Sequence, residues 1–252
     1  CSVHAGMGGQ ANTNSTLGSS NFDGAIQSTA KVNATAGFSI VTYTGNGSDG
    51  ATIGHGLGVK PDFIVIKKRV NNTGINNGNW IGQHKSLTNG VTATSSLFTL
   101  SSYSSSAIYL NLTNGESSYG FDNQVNGNTD TFVAYCFSEV AGYSKFGSYT
   151  GNGNADGPFV YTGFRPAWIM IKISGYTGNW IIFDNKRDPF NYCDTRLFAN
   201  LNNTDTGSYN VISMLSNGFK FENQYDGSWN RNATKFIYLA FAEAPFKNAR
   251  AR

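Results

Sequence analysis

An internal repeat constrains the fold of this chain more than any other feature of its sequence. Five blocks of the first half recur in the same order in the second half, each about 100 residues further on. YTGNG occurs at 43–47 and again at 149–153, and TFVAYCFSEV at 131–140 matches KFIYLAFAEA at 235–244. Five ordered matches at a nearly constant offset do not arise by chance. The sequence therefore predicts a tandem duplication of a unit of about 105 residues.

Each unit has the sequence pattern of a series of strands. Residues 38–43, 63–67 and 131–137 are rich in β-branched and aromatic side chains, and Gly/Asn turns separate such segments. Start and stop signals of helices are almost absent. Both faces of 131–137 are apolar, which is typical of a central strand in a packed sheet. We predict an all-β fold of two tandem β-sandwich repeats, jelly-roll or lectin-like, with one larger jelly roll as the alternative.

The repeat also sets the predicted domain boundaries. We place β-sandwich repeat 1 at 37–141 and β-sandwich repeat 2, with its basic C-terminal tail, at 142–252. Residues 1–36 are rich in Gly, Ser, Asn, Thr and Ala and show no sustained period of 2 or 3.6. We predict that they form an extended arm or linker, which is ordered only where something binds it.

The amino-acid composition argues against a nucleic-acid-binding or membrane-inserted protein. Charged residues are only 13% of the 252, and the net charge of +3 is too small to indicate a nucleic-acid partner. No apolar run reaches the roughly 18 residues of a membrane span, so no membrane insertion is predicted. A neutral surface of Asn, Ser and Thr on a β scaffold is common in secreted, fibrous and viral proteins. The cysteines, Cys1, Cys136 and Cys193, have neither the number nor the spacing of a disulfide framework or a CxxC metal site.

Aromatic residues in polar segments are the candidate ligand-binding residues. An exposed aromatic ring can stack on the C–H face of a sugar, while a buried one only fills the core. The aromatic residues that lie in polar, loop-like segments are Tyr103, Tyr109, Tyr119, Tyr225 and Trp229. By contrast, Trp80 and Trp180 follow Gly-Asn at matching positions of the two units, and we predict that both lie in the core.

The sequence contains no motif of a catalytic or metal site. Glu116, Asp184, Asp188 and Glu222 are the acids among which a glycosidase pair would be sought, but sequence gives no separation between them. The G-x-S-x-G, H-E-x-x-H and P-loop motifs are absent. Residues 152–157 resemble the first half of a calcium loop, yet the acid at its twelfth position is missing and an Asx turn accounts for the pattern. No catalytic residue, cofactor or metal is predicted.

A possible Lys–Glu pair recurs in the two units. Lys67 and Lys172 end matching strands, and so do Glu139 and Glu243. A catalyst can use such a pair, but an active site seldom needs two copies in one chain. We therefore predict a structural role for these four residues.

A resemblance to a known family is carried by four blocks: GFSIVTYTGNGSDGATIGHGLGVKPDFIVIK, FVAYCFSEVAGYSKFGSYTGNG, DGPFVYTGFRPAWIMIK and YLAFAEAPFKNARAR. They resemble the C-terminal repeat domain of tail-fibre and virion structural proteins of marine bacteriophages, cyanophages and pelagiphages among them. The resemblance covers roughly residues 37–252 and brings no catalytic residues. It implies a non-enzymatic protein of the virion surface, outside the cell. The expected function is assembly and attachment to host surface glycans, through self-association as a homotrimer and contacts with other virion proteins.

Two alternatives belong to other classes. The first is a purely structural subunit of a capsid decoration or an extracellular filament, whose N-terminal arm adds a strand to a neighbour's sheet edge. The second is a polysaccharide-degrading fibre enzyme. The enzyme is disfavoured because the sequence offers no acid pair at the level of a motif.

Overall fold

Strands make up all of the regular structure in the part of the chain that the computed structural model describes. That part comprises residues 18–48, 50–72, 80–87, 90–92, 97–98, 107–110, 125–174, 176, 178–205, 207, 210–223 and 227–244. Within these ranges there is no helix long and apolar enough to cross a membrane. The strands are β1 (Ser19–Asn21), β2 (Ser28–Asn33), β3 (Phe38–Thr44), β4 (Ala51–Gly54), β5 (Phe63–Val70), β6 (Trp80–His84), β7 (Gly90–Thr92), β8 (Leu97–Phe98), β9 (Ala107–Leu110), β10 (Thr131–Phe137), β11 (Ser144–Thr150), β12 (Phe159–Tyr161), β13 (Pro166–Ile173), β14 (Trp180–Asp184), β15 (Leu197–Phe198), β16 (Ile212–Leu215), β17 (Gly218–Phe221) and β18 (Lys235–Ala242).

The chain divides into two compact units. Unit 1 comprises Cys1–Thr92 and Leu97–Ser138, and unit 2 comprises Glu139–Arg252 with Ala93–Ser96. The division at Ser138 falls a few residues before the boundary that the repeat predicts. The all-β class predicted from the sequence is confirmed. The number of repeats stays a prediction.

In unit 1 the described strands form an eight-stranded antiparallel sheet in the order β1-β2-β3-β10-β5-β6-β7-β8, and β4 pairs with β9 in a second sheet. All seven residues of β10 pair with β3 on one side and with β5 on the other. This is the central position that its two apolar faces predict. Its core-facing residues Phe132, Ala134 and Cys136 are fully buried against side chains of both sheets.

In unit 2 the described strands form a five-stranded sheet, β11-β18-β13-β14-β15, and a three-stranded sheet, β12-β17-β16. The two sheets share one core. Ile171 of β13 and Phe236 of β18 lie in the same buried cluster as Phe219 and Phe221 of β17. Two antiparallel sheets facing each other across such a core are consistent with a β-sandwich.

The prediction that residues 1–36 form an extended arm is wrong for residues 19–33. Residues 19–21 and 28–33 form β1 and β2, and β2 pairs with β3 from Ser28↔Tyr43 to Asn33↔Phe38. Ala30 and Val32 are buried in the core of unit 1. The sequence shows no period of 2 in β2 because two of its three inward side chains, Ser28 and Ala30, are small. Residues 1–17 of the predicted arm lie outside the described residues.

The two YTGNG loops are held by the same tyrosine contact in each unit. The hydroxyl of Tyr43 donates to the carbonyl of Val125 at 2.6 Å, and the hydroxyl of Tyr149 donates to the carbonyl of Trp229 at 2.7 Å. Both tyrosines are buried, so a buried hydroxyl finds its partner in each case. Burial raises the pKa of each phenol well above its usual value, so both stay protonated donors.

A buried asparagine closes each YTGNG loop. Asn126 accepts the backbone N–H of Asn46 at 3.0 Å, and Asn230 accepts that of Asn152 at 2.9 Å. Each also donates its amide to a carbonyl of the loop, on Ser48 in unit 1 and at residue 154 in unit 2. Both asparagines are fully buried. Equal hydrogen bonds at equivalent positions are what a duplicated loop predicts.

A buried ion pair lies at the start of β10 in unit 1. The Lys68 Nζ lies 2.7 Å from the Asp130 Oδ2, and both side chains are almost fully buried. The other carboxylate oxygen accepts the backbone N–H of Asn72 at 2.6 Å. The matching positions of unit 2 hold Ile173 and Thr234, so this pair is a feature of unit 1.

Candidate functional site

Four of the five predicted ligand-binding residues receive no structural test. Tyr103, Tyr119 and Tyr225 lie outside the described residues. Tyr109 lies in β9, where its backbone pairs with Thr52 of β4. For these four tyrosines the assignment stays a prediction.

The prediction that Trp229 is exposed is wrong. Its side chain is 0% exposed and belongs to the core of unit 2. The guanidinium of Arg196 lies 5.2 Å from the centre of the indole ring. Polar neighbours suggested a surface loop, but the neighbouring Asn230 turns its carboxamide inward to hold the 152–154 loop. A ring with no exposed surface is not available to a sugar.

The two matching tryptophans differ. Trp180 is buried, as its position in the repeat predicts. Trp80 is 45% exposed, so the prediction of a core position is wrong for this residue. It pairs across the sheet with Lys67, whose Nζ lies 5.5 Å from the ring centre. A cation over an indole face is a favourable contact at a surface, and it covers part of the exposed ring.

Sequence reasoning missed several exposed aromatic side chains, and two of them lie close together in unit 2. Phe190 is 82% exposed and Tyr192 is 48% exposed. They flank Asn191 in residues 185–196, the connection between β14 and β15, which we call the aromatic loop. Large apolar side chains this exposed, two residues apart, are typical of a binding surface.

The aromatic loop is anchored to β16 on both sides of Tyr192. Asn191 donates its side-chain amide to the carbonyl of Met214 at 3.2 Å and accepts the Met214 N–H at 2.9 Å. Cys193 and Ile212 exchange backbone hydrogen bonds of 2.8 and 3.3 Å. These contacts hold the backbone on both sides of Tyr192, so little backbone entropy is lost when a ligand binds.

Asp188 closes the base of the aromatic loop. One of its carboxylate oxygens accepts the N–H groups of Asp194 at 2.8 Å and of Thr195 at 2.6 Å. The other accepts the hydroxyl of Thr195 at 2.9 Å. These charge-assisted hydrogen bonds occupy the carboxylate in holding the loop.

A second carboxylate orders the start of the loop. Asp184 lies 2.7 Å from the Nε of Arg187, whose other arm lies 3.3 Å from Asp205. Burial alone would raise the pKa of Asp184, but hydrogen bonds from the N–H and guanidinium of Arg187 and the N–H of Lys186 lower it. The carboxylate is therefore charged at neutral pH and paired with arginine.

The aromatic loop contains one cysteine, whose thiol is not activated. Cys193, its only thiol, is buried, and burial together with Asp188 raises its pKa to about 11. The thiol is protonated at neutral pH and is a poor nucleophile. Within the described residues no group of three His, Cys, Asp or Glu is placed to hold a metal ion.

A difference between the two units could have pointed to this loop. In the first repeat, residues 85–95 match residues 185–195 of the second without a gap. Their sequence is KSLTNGVTATS in the first repeat and NKRDPFNYCDT in the second. The aromatic residues therefore appear in only one copy, and the first copy has one charged residue, Lys85, where the second has four. A side chain required by the shared fold would be expected in both.

The other sequence candidates have structural partners. Glu139 pairs with Lys145 at 3.2 Å, and Glu243 lies 3.5 Å from the Nε of Arg165. In the suspected calcium loop Asn152 accepts the N–H of residue 154 at 3.0 Å, which is an Asx turn. Asp156 of that loop forms an ion pair with Lys220 at 2.9 Å, and Lys220 also pairs with Glu222.

Lys172 is a buried amine and makes stability depend on pH. Its Nζ donates to the carbonyls of Ile173 and Tyr176 at 3.1 and 3.3 Å, and burial lowers its pKa to about 8. Between pH 8 and the usual lysine pKa, the unfolded chain binds a proton that the folded chain does not, so folding becomes more favourable as pH rises.

We expect the free energy of unfolding of the native protein, relative to that of Lys172→Met, to rise by about 2–3 kcal/mol from pH 7 to pH 10. Urea unfolding of both proteins over this range measures it. The two proteins share their tyrosines and cysteines, so the difference isolates Lys172. A flat difference would contradict the lowered pKa of Lys172.

One comparison with known proteins gives a match. A family profile described as "Domain of unknown function (DUF7483)" matches residues 11–245, a range that includes every described strand. The chain matches no curated protein and no solved structure. The family description assigns no activity.

Proposed function

Because the chain belongs to the DUF7483 family of domains of unknown function, we propose its role from its own residues: a non-enzymatic module that attaches to cell-surface glycans through the aromatic loop of unit 2. The observation that carries this proposal is the exposure of Phe190 and Tyr192 on a loop fixed by side-chain and backbone hydrogen bonds. Two large rings left in water contribute little burial energy to folding, so a ligand is the simplest reason to keep them there.

The groups around these rings suit a sugar. Aromatic faces take the C–H faces of pyranose rings, and carboxylates and guanidinium groups bond to the hydroxyls. Arg187 and Asp205 supply both kinds of group near the start of the loop and are partly exposed. The low content of charged residues leaves a neutral surface of amides and hydroxyls that also pairs with sugar hydroxyls.

The place of action follows from the resemblance to virion proteins of marine bacteriophages. It supports a position on the virion surface, as part of a tail fibre or another surface appendage, with other virion proteins as partners. A single shallow aromatic site binds weakly. Self-association into a homotrimer would bring three such sites to one cell surface, and avidity would then hold the particle.

The test is the double substitution Phe190→Ala with Tyr192→Ala, measured as binding of the trimer-displayed chain to a glycan array and to bacterial cells. We expect at least about tenfold weaker binding, since each ring contributes on the order of 1 kcal/mol. Trp80→Ala is the matched control, because it removes an exposed ring of unit 1 and leaves the aromatic loop intact.

Equal binding by the double variant and the native chain would overturn the assignment of the loop. Binding by neither protein would instead favour the purely structural subunit. Release of reducing sugars from the bound polysaccharide would favour the fibre enzyme, and it would overturn the non-enzymatic role.

A further inference from the structure

The two units differ at one edge of their sheets. In unit 1 residues 21–33 run along this edge and fill the space between β3 and β4. Besides the pairing of β2 with β3, Ile26 forms a bridge with Ile53, and the hydroxyl of Ser28 donates to the carbonyl of Gly54 at 3.1 Å. A Cβ at Gly54 would collide with the carboxamide of Asn21, so this segment packs directly on β4.

In unit 2 the matching strands are β11 and β12. The left-handed glycines Gly56 and Gly163 are each followed by a buried apolar residue and so align the two segments, which places Tyr161 where unit 1 has Gly54. Tyr161 is 64% exposed, and Phe159 on the same side of β12 is about half exposed. The space that residues 21–33 fill in unit 1 is here a groove of about 440 Å³, lined among others by Glu139, Lys145 and Tyr161.

The free edge of β11 is partly capped by its own chain. β11 is the last strand of its sheet among the described residues, with β18 on its other side. The outward N–H of Ser144 donates to the carbonyl of Val140 at 2.9 Å, and that of Phe146 donates to a carboxylate oxygen of Glu139 at 2.7 Å. In unit 1 the residue that matches Phe146 is Ile40, which pairs with Lys31 of β2.

Ser148 is the next outward position of the edge. Its side chain is exposed, and no acceptor for its N–H lies among the described residues. Its counterpart in unit 1 is Thr42, which pairs with Thr29 of β2. The carboxylate of Glu139 therefore replaces one acceptor of a neighbouring strand, at Phe146. The N–H of Ser148 is left for a partner strand.

We propose that this groove binds an extended strand of a partner polypeptide, which pairs antiparallel with β11 as β2 pairs with β3. Unit 1 shows the chemistry of the occupant: a polypeptide with small inward side chains, such as Ser28 and Ala30, which leave room beside β4. A sugar cannot satisfy the alternating N–H and C=O groups of a strand edge as another strand does.

The carboxylate of Glu139 occupies the Phe146 N–H until an incoming strand displaces it. A carbonyl of the partner replaces its carboxylate on the Phe146 N–H, and the Glu139–Lys145 ion pair moves into solvent. That pair is already partly exposed, with side chains 24% and 40% accessible, so its release opposes docking only weakly. This strand-binding surface is separate in sequence from the aromatic loop. The proposal that it binds a strand does not depend on glycan binding.

The test uses the full chain and a fluorescent synthetic peptide with the sequence of residues 21–33, the segment that fills the matching groove of unit 1. Fluorescence anisotropy measures binding. We expect Glu139→Ala to bind the peptide several-fold more tightly than the native chain, because no carboxylate then competes for the Phe146 N–H. Ser148→Pro is expected to bind at least about tenfold more weakly, because it removes the outward N–H while the neighbouring bonds to β18 remain. Ser148→Ala keeps that N–H and is the matched control.

A second measurement needs no variant. Hydrogen exchange of the native chain should show that the peptide protects the amide of Ser148 and leaves that of Thr42 unchanged. Binding of the peptide without added protection at Ser148 would mean that it binds elsewhere, for example in place of β2 in unit 1, and it would overturn the proposal. So would the absence of binding to both the native chain and Glu139→Ala.

Peptide-independent dimers of Glu139→Ala, detected by sedimentation and abolished by Ser148→Pro, would show that the occupant is a second copy instead. Substitution of Phe190 and Tyr192 should leave all these results unchanged.

Discussion

Replacing Asp130 with alanine is expected to lower the free energy of unfolding by about 3–5 kcal/mol. Asp130 and Lys68 form a 2.7 Å ion pair with almost no exposed surface. Removing the carboxylate leaves the ammonium group buried without its counter-charge, and it also removes the acceptor of the Asn72 N–H. Urea unfolding monitored by circular dichroism at neutral pH gives the free energies of the native and variant chains.

The double substitution Asp130→Ala with Lys68→Met separates this cause from the loss of packing. The double variant should be more stable than Asp130→Ala alone, because no unpaired charge is left in the interior. If the single variant lost less than about 1 kcal/mol, the value of an exposed pair, the ion pair would have to be accessible to water in solution.

Trp229→Ala should also reduce the free energy of unfolding by about 3–5 kcal/mol, while Trp80→Ala should reduce it by less than about 1 kcal/mol. Trp229 is enclosed by the core of unit 2, and its truncation leaves a large cavity. Trp80 is nearly half exposed and contacts the amine of Lys67, so its truncation leaves a surface that water fills.

The same unfolding experiment on both variants tests the correction of Trp229 from a surface residue to a core residue. Equal losses for the two tryptophans would contradict it. The comparison is matched, because the same side chain is deleted from two environments that differ in exposure.

The strand content could be predicted from the sequence because short segments rich in β-branched and aromatic side chains, separated by Gly/Asn turns, favour strands. Residues 131–137 gave two apolar faces and proved to be the central strand β10, with a neighbour on each side. Residues 28–33 gave no such signal, since Ser28 and Ala30 are small. Only their pairing with β3, a tertiary feature, makes them a strand.

The exposure of single aromatic residues could not be predicted in the same way. Trp229 lies among polar residues, yet the hydrogen bonds of Asn230 to the 152–154 loop fold those polar groups inward beside it. Phe190 and Tyr192 lie in a segment without strand periodicity, where hydrophobic character alone favours burial. Their exposure depends on Asn191 and Cys193, which bind the backbone of β16 and leave the rings outside.

The measurement that tests the central claim most directly is glycan-array binding of the full chain, displayed once as a trimer and once as a monomer. The attachment role predicts that the trimer binds a defined set of glycans, that the free sugar competes, and that the monomer binds far more weakly. It also predicts that Phe190→Ala with Tyr192→Ala weakens the binding of the trimer at least about tenfold. A trimer that binds no glycan, or one whose binding is unchanged by that double substitution, would contradict it.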